Sequence, residues 1–244
     1  RPGIYEVRAP LARTGAPYGQ YLLDDVASGK VDAQVYVFLN AWCLSGSQRE
    51  NLLKATRDKA RLWCYAPGYF DELQPSPEAM HELTGFRLKP VSPEKAWATP
   101  TARGESLGLK TPFGVSQPLR PLFATTDAEA NEILATYPDG SAAIALRASG
   151  DGLSVFVGVP GLSSELLRLV AREAGVHLFT DKDCNVWSNG PFLVLHAPAE
   201  GEYPIDTGVP GPVTDMLSGK VIGQGPRLSL TLKGGETRVL RCGE

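Results

Sequence analysis

The chain has 244 residues, 43% of them hydrophobic and 21% charged, and a formal net charge of −3. That composition belongs to a folded globular protein with room for one large domain or two smaller ones, and it excludes a disordered or fibrous chain. A mildly acidic chain without a long Lys/Arg run gives no electrostatic footprint for nucleic acid, and no apolar run approaches the roughly 20 residues of a membrane-spanning helix. Neither nucleic acid nor a membrane is expected as a partner.

The first residues, Arg1-Pro2-Gly3-Ile4-Tyr5, carry neither an initiator Met nor the apolar region of a signal peptide. The ends are therefore expected to have been set by processing, by engineering or by a cut from a longer chain. Cys43, Cys64, Cys184 and Cys242 are widely spaced and form no C-x-x-C pair. Metal sites need closely spaced ligands, so no metal is expected, and no motif asks for a cofactor. Cys64 lies in an apolar run and reads as a buried free thiol.

In chain order, Tyr5 to Arg13 is compatible with a short helix despite Pro10, and Gly15-Ala16-Pro17 breaks it. Tyr18 to Leu23 predicts a strand ending in Asp24-Asp25, and Ala33 to Leu39 a stronger one ending at Asn40. Ser47-Gln48-Arg49-Glu50 reads as a capping box opening a helix to about Lys59. Ala60 to Ala66 predicts a third strand, stopped by Pro67-Gly68. Ser76-Pro77-Glu78 then starts a helix that runs to Gly85, with Pro at its first position. Strand and helix alternating at this spacing mark βα units around a parallel sheet.

From Lys89 to Pro121 periodicity fades and Pro, Gly and Ser rise, which predicts a long irregular excursion. Thr126-Asp127-Ala128-Glu129 reads as a further cap, followed by strands near Ala143 to Leu146 and Val155 to Val159. Ser163 caps an amphipathic helix whose Leu166, Leu167, Val170, Ala171 and Ala174 share one side, with Gly175 as its left-handed stop. Val176 to Phe179 reads as a last strand.

Beyond Thr180 the pattern becomes all-β. Val186 to Trp187, Phe192 to Ala197, Tyr203 to Ile205, Val213 to Leu217, Leu228 to Leu232 and Thr237 to Leu240 are short extended runs between turns such as Ser188-Asn189-Gly190 and Lys233-Gly234-Gly235. The expected organisation is an α/β domain over 1–182, flavodoxin-like or amidotransferase-like, with a parallel sheet and helices on both faces. A small β-sandwich-like domain over 183–244 follows it. Trp63 and Trp187 are expected in the core and Trp97 in the irregular segment.

Three phrases carry a resemblance: Tyr21-Leu22-Leu23-Asp24-Asp25, Tyr36-Val37-Phe38-Leu39-Asn40-Ala41, and Leu62-Trp63-Cys64-Tyr65-Ala66-Pro67-Gly68-Tyr69. With Val159-Pro160-Gly161-Leu162 and Arg172-Glu173-Ala174-Gly175-Val176-His177 they resemble the class I glutamine amidotransferase-like domain that follows the catalytic barrel in bacterial β-galactosidase-like glycoside hydrolases. Leu193-Val194-Leu195-His196-Ala197, Val213 to Gly219 and Gly235 to Leu240 are similar to the small β domain that ends such enzymes. The resemblance spans nearly the whole chain and consists of structural phrases rather than catalytic signatures. It implies an accessory, trimer-forming region, with the barrel and its two catalytic carboxylates lying before Arg1.

An amidotransferase of this class needs an exposed Cys on a sharp strand-to-helix turn, with a His to activate it. Cys64 lacks flanking glycines for such a turn. His81 reads as solvent-facing on a short helix, His177 as part of an apolar strand and His196 as part of the β module. No G-x-S-x-G elbow is present, and the glycine pairs Gly150-Asp151-Gly152 and Gly223-Gln224-Gly225 read as turns. Asp24 and Asp25, adjacent at a strand end, point opposite ways and cannot flank one glycosidic bond. No catalytic residue is therefore assigned.

A ligand site is still conceivable, because open parallel sheets bind ligands outside the carboxyl ends of their strands. The candidates there are Asp24, Asp25, Asn40, Trp42, Tyr69 and Asp71, aromatic faces beside carboxylates and an amide, which suit a sugar ring. The alternative is that Trp42 and Tyr69 pack on the loop after Lys89 or on a partner subunit, with Asp24 capping a turn. The function expected is a non-catalytic accessory and oligomerisation region of a carbohydrate-active protein, a homo-oligomer and possible carbohydrate binder. Against it stand a stand-alone amidotransferase-like or sugar-hydrolysing enzyme and a simple carbohydrate-binding module.

Overall fold

A computed structural model describes residues 5–72 and 74–243; the residues read above for a leader, 1–4, lie outside them. Its contacts divide the chain into two units, one holding 5–7 and 20–174, the other 8–19 and 175–243. The division falls between Ala174 and Gly175, a few residues before the expected boundary at 182, and the second unit also takes a segment from the start of the chain.

In chain order the first helix is α1 (Arg8–Ala12), which belongs to the second unit. The first unit then runs α2 (Leu23–Ala27), β1 (Val35–Phe38), α3 (Gly46–Ala55), β2 (Lys59–Cys64), β3 (Phe70–Asp71), β4 (Gln74–Pro75) and α4 (Pro77–Thr84). It continues with β5 (Leu88–Val91), β6 (Ala96–Pro100), α5 (Ala102–Ser106), β7 (Phe113–Val115), β8 (Leu122–Thr125), β9 (Ile133–Thr136), β10 (Ala142–Ser149), β11 (Gly152–Val157) and α6 (Ser164–Glu173). The second unit ends the chain with β12 (Asn185–Asn189), β13 (Phe192–His196), β14 (Gly201–Asp215), β15 (Lys220–Leu232) and β16 (Thr237–Cys242).

The sheet of the first unit has nine strands, with a main path β1-β2-β11-β10-β9-β6-β7 and with β8 joining β10 to β5. It is mixed rather than wholly parallel, which corrects the expectation. β1, β2 and β11 are parallel to one another, and the remaining pairings are antiparallel. Connection length explains the difference. α3 supplies the crossover that a parallel β1–β2 pair needs, whereas β10 and β11 are joined through Gly150 and Asp151 alone, a link too short for anything but a hairpin.

Helix ends follow local chemistry. The α3 capping box is built on Ser45, not Ser47: its hydroxyl accepts from the Gln48 N–H at 3.3 Å while Gln48 Oε1 accepts from the Ser45 N–H at 3.0 Å. The overlapping S-x-x-Q frame two residues earlier satisfies two of the helix start's free N–H groups reciprocally. Ser76 caps α4 with Pro77 behind it and Gly85 closes it at φ 73°. Ser163 caps α6, which buries Leu166, Leu167, Val170 and Ala171.

Four other expectations are corrected. Tyr18 to Leu23 forms no strand: Tyr18, Tyr21 and Leu22 are exposed, so no neighbour rewards an extended run, and Asp24 and Asp25 fall in the first turn of α2, where negative charge suits the helix dipole. Thr126 to Glu129 opens no helix, because Thr125 accepts from the Ala128 N–H and closes a turn instead. The stretch from Lys89 to Pro121 holds three sheet strands and a helix, so Trp97 lies on β6. Val176 to Phe179 joins no ladder; Phe179 bonds singly, its N–H to the Gly15 carbonyl and its carbonyl to the Asp206 N–H.

The second unit is one five-stranded antiparallel sheet, ordered β12-β13-β16-β14-β15. The runs Tyr203 to Ile205 and Val213 to Leu217, expected as separate strands, largely merge into the 15-residue β14, with a break in register between Asp206 and Gly211. Alternate side chains Val186, Leu193, Leu195, Tyr203, Ile205 and Leu240 form its core. Period-two alternation that turns Val186 inward turns Trp187 outward to 50% exposure, correcting its expected burial, whereas Trp63 is fully buried as expected.

The β14–β15 hairpin is held by a charged anchor. Asp215 Oδ2 accepts from Arg238 Nη1 at 2.8 Å, and Asp215 Oδ1 accepts from the N–H groups of Leu217 and Ser218 at 2.9 and 2.8 Å. The Arg238 guanidinium first, then those N–H groups, hold the carboxyl down to about 2. A carboxyl depressed by folding stabilises above its unfolded value, about 3.9, and that contribution disappears as pH falls through the folded value. Melting followed by circular dichroism is therefore expected to show the second unit losing stability between pH ~4 and ~2. Asp215→Asn should destabilise it at neutral pH and flatten that dependence.

Candidate functional site

The parallel register brings the ends of three strands level: Phe38 lies beside Trp63, and Cys64 beside Val157. The segments leaving β1 and β2 at that end are stitched together. The Gly68 N–H donates to the Ala41 carbonyl at 2.7 Å, the Phe70 N–H to the Trp42 carbonyl at 2.8 Å, and the Leu44 N–H to the Phe70 carbonyl at 3.1 Å. Gly68, at φ 68°, allows this approach, since a Cβ there would stand 2.7 Å from Leu83 Cδ1 and 3.0 Å from the Ala79 carbonyl oxygen.

Four of the six candidate residues meet here. Asn40 and Trp42 follow β1, and Tyr69 and Asp71 follow the Pro67-Gly68 turn after β2. Trp42 is 42% exposed and Phe70 38%. Tyr69 packs edge-on to Phe70, with centroids 4.7 Å apart, and against the buried Phe123 at 5.0 Å. Asp71 is committed to the buried Arg49, 3.1 Å away, whose Nε also donates to Glu82 at 2.7 Å and whose Nη1 donates to the Leu44 carbonyl at 2.8 Å. Asp24 and Asp25 sit apart from this arrangement on α2, where Asp25 pairs with Lys30 at 3.5 Å.

One residue of this site was not singled out from the sequence. Tyr65, the first residue after β2, has a left-handed backbone at φ 66°. For a bulky residue that costs on the order of 1–3 kcal/mol, and such strain collects at functional sites. Its ring meets Trp42 edge to face at 5.4 Å. Its hydroxyl donates to the Pro121 carbonyl at 2.7 Å, and burial pushes the phenol up. The sequence signal was an aromatic residue two positions before the Pro67-Gly68 stop, read there as the tail of a strand.

The left-handed position after β2 is thus occupied by Tyr65, not Cys64. Cys64, one residue earlier, is buried in the sheet, and burial pushes its thiol far up. His177 Nε2 lies 2.9 Å from the Asp206 carbonyl oxygen and is exposed rather than part of an apolar strand, while His196 Nδ1 lies 2.9 Å from the Thr237 hydroxyl. His81 is half-buried on α4 rather than solvent-facing. A concavity of about 290 Å³ lies in the second unit among Phe179, Phe192, Thr207, Val209 and Cys242. The Thr207 hydroxyl there is engaged by the Val209 and Pro226 carbonyls.

No protein-family profile matches the chain, and no curated protein is similar to it in sequence. Solved structures do share its fold. The GH42 β-galactosidase Gan42B from G. stearothermophilus aligns with a TM-score of 0.64 and 13% identity over 96% of this chain and 35% of its own. The cold-adapted β-galactosidase from Rahnella sp. R3 gives 0.58 and 16% over 95% of this chain and 35% of its own. The enzyme from Bacillus circulans sp. alkalophilus gives 0.57 and 16% over 86% and 32%. At these identities the likeness is one of fold, and this chain spans about a third of the length of those chains.

Two measurements check the site's construction. Gly68→Ala places a Cβ against backbone at a left-handed position and is expected to cost about 1–3 kcal/mol in urea unfolding. Thiol titration of the folded protein should count one reactive cysteine, the exposed Cys43, with Cys64, Cys184 and Cys242 reacting only after denaturation.

Proposed function

We propose that this chain is a non-catalytic, self-associating accessory region of a β-galactosidase-like glycoside hydrolase. The observation that carries the reading is the shared fold running through both units, over 95% and 96% of this chain in two of those β-galactosidases. In this reading β1–α3–β2 with β11 is the amidotransferase-like, flavodoxin-like core, and the second unit, a single antiparallel sheet rather than the expected sandwich, is the small β domain that follows it. The partners are further copies of the chain, three in a closed ring.

Two features of the first unit favour an accessory role over a stand-alone amidotransferase. The thiol on β2 is sealed in the sheet, and the next residue, Tyr65, carries a half-buried phenol already bonded to a carbonyl. The paired carboxylates Asp24 and Asp25 stand on a five-residue helix and not at a strand end beside an aromatic floor.

Sedimentation equilibrium is expected to show association to a trimer, with no hydrolysis of a chromogenic β-galactoside by the chain alone. A strict monomer at high concentration would defeat the self-association. Hydrolysis that survives both Cys64→Ala and Asp24→Ala would defeat the non-catalytic role.

A further inference from the structure

A ring of three identical copies needs two different patches on each copy that fit one another, since a contact between like patches only joins copies in pairs. The second unit carries two such patches. At the tip of the β14–β15 hairpin Met216 is 44% exposed and Leu217 77%, and Val221, 61% exposed, stands at the same hairpin end, opposite Thr214. Turns favour small polar residues, so three exposed apolar side chains grouped there mark a contact surface.

The other patch is the concavity of about 290 Å³. Phe179, Pro191, Phe192, Leu193 and Val209 give it apolar walls, and none of the residues lining it carries a charged side chain. Its Thr207 hydroxyl is already engaged by two carbonyls, so little there rewards a polar guest. An apolar cavity of roughly 150 Å³ already holds a benzene-sized group, which leaves room here for a leucine and part of a methionine. We propose that Leu217, with Met216 beside it, enters the concavity of the next copy of this chain. The inference rests on the self-association proposed above and locates one of its contacts in the second unit.

Both halves of the contact are held in place before they meet. Asp215, 2% exposed, accepts from the N–H groups of Leu217 and Ser218, and the Gly219 N–H donates to the Asp215 carbonyl at 2.8 Å. The anchor that steadies β14 and β15 therefore also fixes the backbone of Leu217, and an ordered side chain loses little freedom on burial. At the concavity, the Cys242 N–H donates to the Pro191 carbonyl at 2.8 Å and the Gly243 N–H to the Pro212 carbonyl at 3.0 Å. A small apolar molecule would fit the same walls. The exposed leucine that every copy carries is what favours a second copy as the occupant.

Sedimentation equilibrium compares the full chain with Leu217→Asp and Val209→Arg, each checked for an unchanged circular dichroism spectrum. Each single variant is expected to weaken association at least about tenfold. The chain carrying both should recover most of it, because the new carboxylate then meets the new guanidinium of the next copy. Leu22→Asp, which charges a comparably exposed leucine of the first unit, should associate like the parent. An anilinonaphthalene dye should brighten with Leu217→Asp but not with the assembled parent, whose concavity is filled. The inference is overturned if the double variant recovers nothing, or if the dye binds the assembled parent as well as the variant, which would make the concavity an open small-molecule site. A parent that associates and a Leu217→Asp variant that associates equally well would remove this contact alone, whereas a monomeric parent would remove the self-association on which it rests.

Discussion

Strand β2 has parallel neighbours on both sides, Ala60 facing Val35 across one and Leu153 across the other. A strand so placed must be apolar on both faces, and Leu62 and Trp63, which point to opposite faces, are each fully buried. The register then dictates what happens beyond the strands. Because Phe38, Trp63 and Phe156 sit level, the segments after β1 and β2 emerge side by side and can bond to each other. The stacking of Phe38 on Trp63, 4.3 Å between centroids, fixes that level from within the core. The exposed rings above are therefore positioned by pairing and packing below them.

What was legible in the sequence was local. The Ser76 and Ser163 caps, Pro77 at a helix start and the Gly85 and Gly175 stops each act within one turn, and each stands where it was read. The alternation of the second unit was legible for the same reason, except at Trp187, where the phase of a short run was taken one residue out. The middle of the first unit was not legible because its strands find partners far along the chain. β5 pairs with β8 and β6 with β9, so residues such as Lys89 and Pro90 become strand only through neighbours more than 30 positions away. Pro90 itself is tolerated because β5 has a partner on one side alone.

The sheet's direction illustrates the same limit. Alternating strand and helix signals predict parallel pairing, and that holds for the part with a full crossover helix. Beyond it the tight turns at Gly140 and at Gly150-Asp151 decide in favour of hairpins. Arg147 then ties the antiparallel half together through Glu132, Asp127 and the Gly85 carbonyl, over the ring of Phe86. No sequence pattern marks that network, since its members come from three separate segments.

The sequence rule reached the neighbourhood of four residues but not the contacts between them. Asn40, Trp42, Tyr69 and Asp71, picked by the rule that ligands gather at the carboxyl ends of parallel strands, lie in the segments that follow β1 and β2; Asp24 and Asp25 were included because an exposed apolar run was mistaken for a strand. The decisive residue was the one assigned to the strand itself. A nucleophile needs to be at the turn, exposed and easily ionised, and Cys64 is one residue too early for all three conditions: the alternation that buries it in the sheet also forces its thiol up. The turn falls to Tyr65, whose phenol is likewise raised by burial and donates its proton to a carbonyl. The left-handed backbone at Tyr65 thus sets the direction in which an aromatic side chain leaves the end of β2. An aromatic ring stands in that place, and a second ring meets it edge to face 5.4 Å away.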